Sequence, residues 1–284
     1  MPVTVFTFCF SPPARFVSMT AELCGIPDLA FEEVDLSRGE QLSERFLAIN
    51  PKHQVPAIEE DGKHMAESRD IARHLCDKYC KDPSREHWYP KDPVKRKEVD
   101  EWLDWSKPLH LAIEMGVVVE HVACQAGMGW RQNYGFIIAL AGAVSRARGA
   151  AFQDLKRCIA EAEVTVGRRG KTRVEDLDLG DVATLMEVSQ AMECHPTFDW
   201  SAFPNLSKLL MLMRQVPEFN SVYAPLLEFL VPLRQARACK RRATCWECVG
   251  ECFTGLKTLA RVAAISKRHP AKRAMHRGST RELH

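Results

Sequence analysis

Two short stretches carry side chains whose type and spacing could do chemistry. The first is Cys9-Phe10-Ser11-Pro12-Pro13, between an alternating apolar run and a run of helical periodicity. A serine at such a junction is an N-cap, its oxygen accepting a helix N–H. The alternative is that the Ser11 hydroxyl donates to the sulfur of a bound thiol. That bond is stronger to S⁻ than to S–H, so it lowers the thiol pKa. Lowering a pKa by one takes about 1.4 kcal/mol of preference for the thiolate, and one hydrogen bond to a charged group supplies roughly 1.5–3 kcal/mol. Cys9 is the rival. It is a thiol that could form mixed disulfides, although no second cysteine stands three residues away and strand alternation would bury it. Arg15, in the first helical turns, reads as a brace or as the partner of a carboxylate.

The second stretch is Asn50-Pro51-Lys52-His53-Gln54-Val55-Pro56-Ala57-Ile58, followed by Glu67-Ser68-Arg69-Asp70-Ile71. Pro56 lacks an N–H and fixes φ, so it suits a strand entrance or a bend. X-Pro is the bond type in which cis costs only about 0.5–1 kcal/mol. A cis Val55–Pro56 bond would turn the Val55 N–H and C=O outward, free to pair with an extended ligand. Glu67-Ser68 opens an amphipathic run and also reads as an ordinary helix start. Gln54 reads as a loop residue, and Arg69-Asp70 as a solvated charged pair.

These residues need elements to hold them. Val3 to Phe8 alternates and is rich in β-branched and aromatic residues, which predicts a strand. Pro13 suits a first helical turn, and Phe16, Met19, Thr20 and Leu23 recur at helical spacing up to Gly25. Leu29 to Leu36 reads as a second strand. Leu42, Phe46 and Ile49 mark a short helix. Asp61-Gly62 is a two-residue hairpin signal, and a helix is expected over Ser68 to Tyr79. The order β-α-β-α-β-β-α makes one mixed sheet with helices on both faces. The prolines of Asp82-Pro83-Ser84 and Pro90-Lys91-Asp92-Pro93 predict a linker.

Beyond Pro93 the pattern is helical. Trp102, Trp105, Leu109 and Ile113 form a stripe, and Phe136 to Val144 and Phe152 to Val164 read as two further runs. Gly167 to Lys171 reads as an exposed loop. Asp178-Leu179-Gly180-Asp181 resembles a capping box with Asp in place of Glu. Pro204-Asn205-Leu206 opens another helix, ending near Val216-Pro217.

The chain of 284 residues, with 46% apolar and 27% charged residues, has the composition of a soluble globular protein. No apolar run suggests a membrane span. Met1-Pro2-Val3-Thr4 has no basic n-region, so no secretory leader is expected. Eleven cysteines, seven of them scattered singly, suggest a reducing compartment, and a cytoplasmic location is expected. The net charge of +2 hides an asymmetry: residues 234–284 carry 13 Lys+Arg and 3 Asp+Glu, leaving 26 and 34 for the rest. The tail is strongly basic and the body acidic. Cys239, Cys245, Cys248 and Cys252 lie among those basic residues. If Thr244 to Ser266 is helical, the last three share a face with Leu256 and Leu259, as core packing or an amphipathic surface. Thiol modification by a lipid and half a zinc site are the competing readings. Lys267 to His284 is expected to be disordered.

Val-Pro, an Asp-Gly hairpin and Glu-Ser in this order resemble the N-terminal thioredoxin-like domain of the glutathione transferase superfamily. Ser11-Pro12-Pro13-Ala14-Arg15 and His87-Trp88-Tyr89-Pro90 are similar to its theta class. The resemblance covers Met1 to about Trp105 and continues in order to about Tyr223. It implies a thioredoxin-like α/β domain over residues 1–82, a linker over 83–92, an all-α domain over 93–233, and a basic Cys-rich extension over 234–284. It also implies a glutathione transferase with Ser11 as the catalytic residue. Val55 and Pro56 would present the backbone that pairs with the cysteine portion of glutathione. Glu67 would take the γ-glutamyl ammonium, and Ser68 its α-carboxylate, favoured by the helix dipole. Gln54 would bond the bound peptide. Where the theta class often has His and Lys for the glycyl carboxylate, this chain has Glu40-Gln41. Gln41, Lys52 and His53 are the candidates for that contact.

The resemblance implies glutathione as co-substrate, no metal or redox cofactor, a small apolar electrophile and a homodimer. No nucleic-acid partner is expected, and the basic tail could touch a membrane surface. Two other readings remain: a thiol transferase using Cys9, and a non-enzymatic binding module such as that of elongation factor gamma subunits.

Overall fold

The structure is a computed structural model and describes residues 2–114, 153–194 and 198–242. The chain divides into two compact units after Ala224. In the first unit the N-terminal elements are β1 (Val3–Thr7), α1 (Pro12–Leu23), β2 (Leu29–Glu33), α2 (Glu44–Ile49), β3 (Ala57–Glu60), β4 (Lys63–Ala66) and α3 (Ser68–Tyr79). This is the thioredoxin-like order expected from the sequence. The sheet runs β2-β1-β3-β4, with β1 and β2 parallel and the other pairs antiparallel.

Helices cover both faces of β1. Thr7 Oγ1 meets Ser18 Oγ of α1 at 3.1 Å, whereas Phe6 points the other way and meets the Phe46 ring of α2 edge-on at 6.1 Å. Val3, Val5 and Phe6 are all buried. The hairpin turns on Asp61 and Gly62, both at positive φ (53° and 72°), as a primed turn requires.

The second strand stops at Glu33, three residues short of the sequence expectation. The Glu40 carboxylate accepts the Asp35 N–H at 3.0 Å, so a side chain takes a donor that a strand would have used. Residues 83–88 form a 3-10 helix capped by Asp82, and His87 Nδ1 lies 2.8 Å from the Leu177 carbonyl. The expected linker is therefore packed in place.

Helix α4 spans Pro93–Ile113 and buries Trp102, Leu109 and Ile113. Residues 153–169 are also helical, as are Leu179–Cys194, Pro204–Met213 and Pro217–Arg242. The Pro217–Arg242 helix runs past residue 233. Phe136 to Val144, the stretch from Thr244 and the rest of the tail lie outside the described residues, so the readings of Cys245, Cys248 and Cys252 do too.

Gly167 to Lys171 is not the exposed loop read from the sequence. The helix continues to Arg169 and ends at Gly170, at φ 58°. Arg169 and Lys171 then pair with the Asp178 carboxylate, and Lys171 Nζ reaches Asp181 Oδ2 at 2.6 Å. Asp178 and Asp181 form the reciprocal capping box: Asp178 Oδ1 accepts the Gly180 and Asp181 N–H groups at 3.0 and 3.3 Å, and Asp181 Oδ2 accepts the Asp178 N–H at 3.0 Å. The two cations offset the cost of burying two carboxylates at one helix start. Gly180 is needed for close approach, since a Cβ there would lie 2.1 Å from Trp102 Cδ1.

Candidate glutathione site

Strand register decides which residues meet. β1 and β3 are antiparallel neighbours with Phe6 opposite Ala57. Continuing that register by two residues sets Val55 beside Phe8, at the end of β1 that leads into Ser11. β3 and β4 pair with Ala57 opposite Ala66. Pro56 and Val55 therefore lie beside Glu67 and Ser68. Three segments that are far apart in sequence reach one end of the sheet.

Ser11 caps α1, its Oγ accepting the Ala14 N–H at 3.4 Å. Capping uses an oxygen lone pair and leaves the hydroxyl hydrogen to donate. The two readings of Ser11 are thus compatible. The Val55–Pro56 bond is cis. Val55 has no backbone hydrogen-bond partner among the described residues. Asn50 shapes the approach to it: Nδ2 donates to the Gln54 carbonyl at 2.7 Å, and Oδ1 accepts the Lys52 N–H at 3.1 Å. Sequence reasoning assigned no role to Asn50; its place directly before Pro51 was the available signal.

Glu67 sits at φ 71°, ψ 104°, outside the usual regions for a residue with a Cβ. Strain of this kind, roughly 1–3 kcal/mol, persists where surrounding structure imposes it and clusters at ligand sites. Glu67 gives α3 no side-chain cap. The first N–H groups of α3 are thus available to an external anion, and the helix dipole favours one there. Glu67 is not free, however: Lys52 Nζ lies 2.6 Å from its Oε1. That hydrogen bond and the carboxylate charge raise the Lys52 pKa. Both side chains are exposed, so a bound ligand can exchange the pair without a large desolvation cost.

Gln54 and His53 are exposed, and His53 has φ 49°. Gln41 is buried, and its Oε1 has no hydrogen-bond partner among the described residues. Arg69 corrects another reading. It is not solvated: its Nε donates to the Leu103 carbonyl and its Nη2 to Ser106 Oγ, both at 2.7 Å, tying α3 to α4. Cys9 is a poor nucleophile. Burial, with the Glu33 charge next, pushes its thiol up to about 12.

Residues 5–83 match the family described as "Glutathione S-transferase, N-terminal domain". This segment is similar to the N-terminal domain of glutathione S-transferases, the theta class among them. The chain is 42% identical over 103 residues to glutathione S-transferase 1 of Manduca sexta, covering 36% of this chain and 46% of that protein. It is 37% identical over 105 residues to glutathione S-transferase theta-1 of Rattus norvegicus, covering 37% and 42%. The alignments thus span under half the length of these relatives.

Solved transferases extend the likeness through the helical part. Human glutathione S-transferase T1-1 in its apo form superposes with a TM-score of 0.60 at 20% identity, over 80% of this chain and 90% of that one. An unclassified glutathione S-transferase of Bombyx mori gives 0.60 at 26% identity, over 78% and 94%. The thioredoxin-like domain and the helices that follow it therefore have the glutathione transferase fold.

Proposed function

We propose that the protein is a glutathione transferase in which Ser11 stabilises the glutathione thiolate for attack on a small apolar electrophile. The observation that carries this is the convergence of Ser11, the unpaired Val55 backbone and the uncapped start of α3 at one end of the sheet. An extended anionic tripeptide fits such a set. Val55 pairs with its backbone, and Ser68 with the α3 N-terminus takes its α-carboxylate. Glu67, released from Lys52, takes its ammonium. Lys52, set free by that exchange, is then a cation for the glycyl carboxylate, with His53 and Gln41 as the further candidates. Gln54 bonds the peptide backbone. Glutathione serves as co-substrate, and the chemistry needs no metal or redox cofactor.

In this reading residues 1–82 bind glutathione, 83–92 connect, and 93–233 supply the electrophile pocket. Residues 234–284 are an added basic segment, and the active form is a homodimer. The test is retention on immobilised glutathione together with turnover of a panel of alkyl halides, activated arenes and hydroperoxides. Retention with turnover of at least one class is expected. Retention without turnover across the panel would make the protein a binding module, and no retention would remove the glutathione reading.

A further inference from the structure

Arg15 is 1% exposed, yet it is a full cation inside the molecule. Burial lowers its pKa to about 10, against the opposing charge of Glu187, so it stays protonated at neutral pH. Its fork reaches in two directions. Nη1 donates to the Cys9 carbonyl at 2.6 Å and to Gln190 Oε1 at 2.9 Å, while Nη2 donates to the Met186 carbonyl at 2.8 Å. Gln190 and Met186 lie on the Leu179–Cys194 helix.

The Cys9 carbonyl is the mechanically important end. Phe8 O accepts the Ser11 N–H at 2.9 Å, which closes a turn with Cys9 and Phe10 at its centre. The central peptide of such a turn is the Cys9–Phe10 bond, and its carbonyl can point to either side; flipping it interconverts the common turn types. That turn delivers Ser11 to the start of α1, so the form it takes borders the proposed thiol-binding hydroxyl. An arginine bond at 2.6 Å holds the carbonyl on one side.

We infer that Arg15 is the positioning residue for Ser11, fixing the Cys9–Phe10 peptide and thereby referring the thiol-binding hydroxyl to the Leu179–Cys194 helix. This rests on the reading of Ser11 given above. Arg15 acts through the turn and is not itself a catalytic residue. A lysine cannot reproduce it, because one ammonium on a flexible stem cannot hold the carbonyl of the turn and two acceptors on the facing helix in a planar fork. Burial disfavours a buried ammonium as it does the guanidinium, so a lysine there does not keep its charge across the titration. Gln190→Leu, which leaves the guanidinium in place, separates positioning from a simple electrostatic effect of the cation on the thiolate.

The experiment measures the pKa of enzyme-bound glutathione from its thiolate ultraviolet absorbance, in the full chain, for wild type, Arg15→Lys and Gln190→Leu. Circular dichroism and glutathione affinity are recorded alongside. In folded Arg15→Lys the bound thiol pKa should rise by about one, with roughly tenfold lower kcat at neutral pH recovering as pH rises. Glutathione affinity should change little, since Val55 and the α3 N-terminus still hold the peptide. Gln190→Leu leaves Arg15 in place but removes one acceptor from Nη1, and should move the pKa in the same direction by less. It carries the test if Arg15→Lys does not fold. A brace that only joins the elements would lower stability and leave the bound thiol pKa unchanged. That result, in whichever variant folds, overturns the inference while the glutathione reading stands. Failure of wild type to bind glutathione overturns both.

Discussion

A single hydrogen bond carries most of the proposed chemistry. Ser11→Ala should raise the pKa of bound glutathione by about one to two and cut turnover at neutral pH about 10–100-fold, each ~1.4 kcal/mol being a factor of ten. The loss should shrink at high pH, where the thiol ionises without help. Glutathione affinity should hold. Part of the change falls on stability, because Ser11 also caps α1; an alanine cap costs about 0.5–2 kcal/mol. Cys9→Ala should leave conjugation intact, consistent with a thiol pushed up to about 12. Steady-state rates across pH for the two variants check both statements, and an inactive Cys9→Ala beside an active Ser11→Ala would transfer the chemistry to the cysteine.

Elements are held by a few polar contacts between neighbours. Glu60 ends β3 and gathers Tyr79, His74 and Lys78 from α3, with His74 Nε2 at 2.7 Å and Lys78 Nζ at 3.1 Å. Burial alone would raise its pKa, but hydrogen bonds from Tyr79, His74 and Lys78 outweigh that and lower it from 4.5 to about 2. The folded pKa lies below the unfolded one. The stabilisation is therefore complete above about pH 4.5 and is lost as pH falls towards 2. Glu60→Gln should flatten this part of the acid-unfolding profile, read by urea midpoints at successive pH values. An unchanged slope would assign the acid sensitivity to other carboxylates.

The start of the Leu179–Cys194 helix is the second such point. Gly180→Ala would set a Cβ against Trp102, and overpacking of this kind costs about 1–3 kcal/mol. Denaturant titration should show a lower midpoint with the slope unchanged. If Trp102 turned aside without cost, the midpoint would stay.

At the scale of the molecule the charge divides along the chain, acidic in the body and basic from Arg234 on. Among the described helices none is long and apolar enough to cross a membrane. The proposed homodimer is checked by light scattering at micromolar concentration and at two salt concentrations, which separates apolar association from charge-driven association. A mass of about twice 32.2 kDa is expected at both; a mass of one chain would remove the dimer from the reading.

Local chemistry determined what could be read in advance. The strand alternation at Val3 to Phe8, the Asp61-Gly62 turn, the span Ser68 to Tyr79 and the Asp178–Asp181 box each depend on residues a few positions apart. A period or a turn preference encodes them completely. The candidate site was legible for the same reason, as three local signals in a fixed order. Register and packing decided the rest. The pairing of Phe6 with Ala57 and of Ala57 with Ala66 is what brings Ser11, Val55 and Glu67 to one end of the sheet. Nothing near Arg15 indicates that its acceptors include Gln190, 175 residues away. Nothing near Arg69 points to Leu103, or near Lys171 to burial beside two aspartates. A charged side chain reads as solvated until its acceptors are known, because exposure is its default and burial requires partners that only the folded chain supplies.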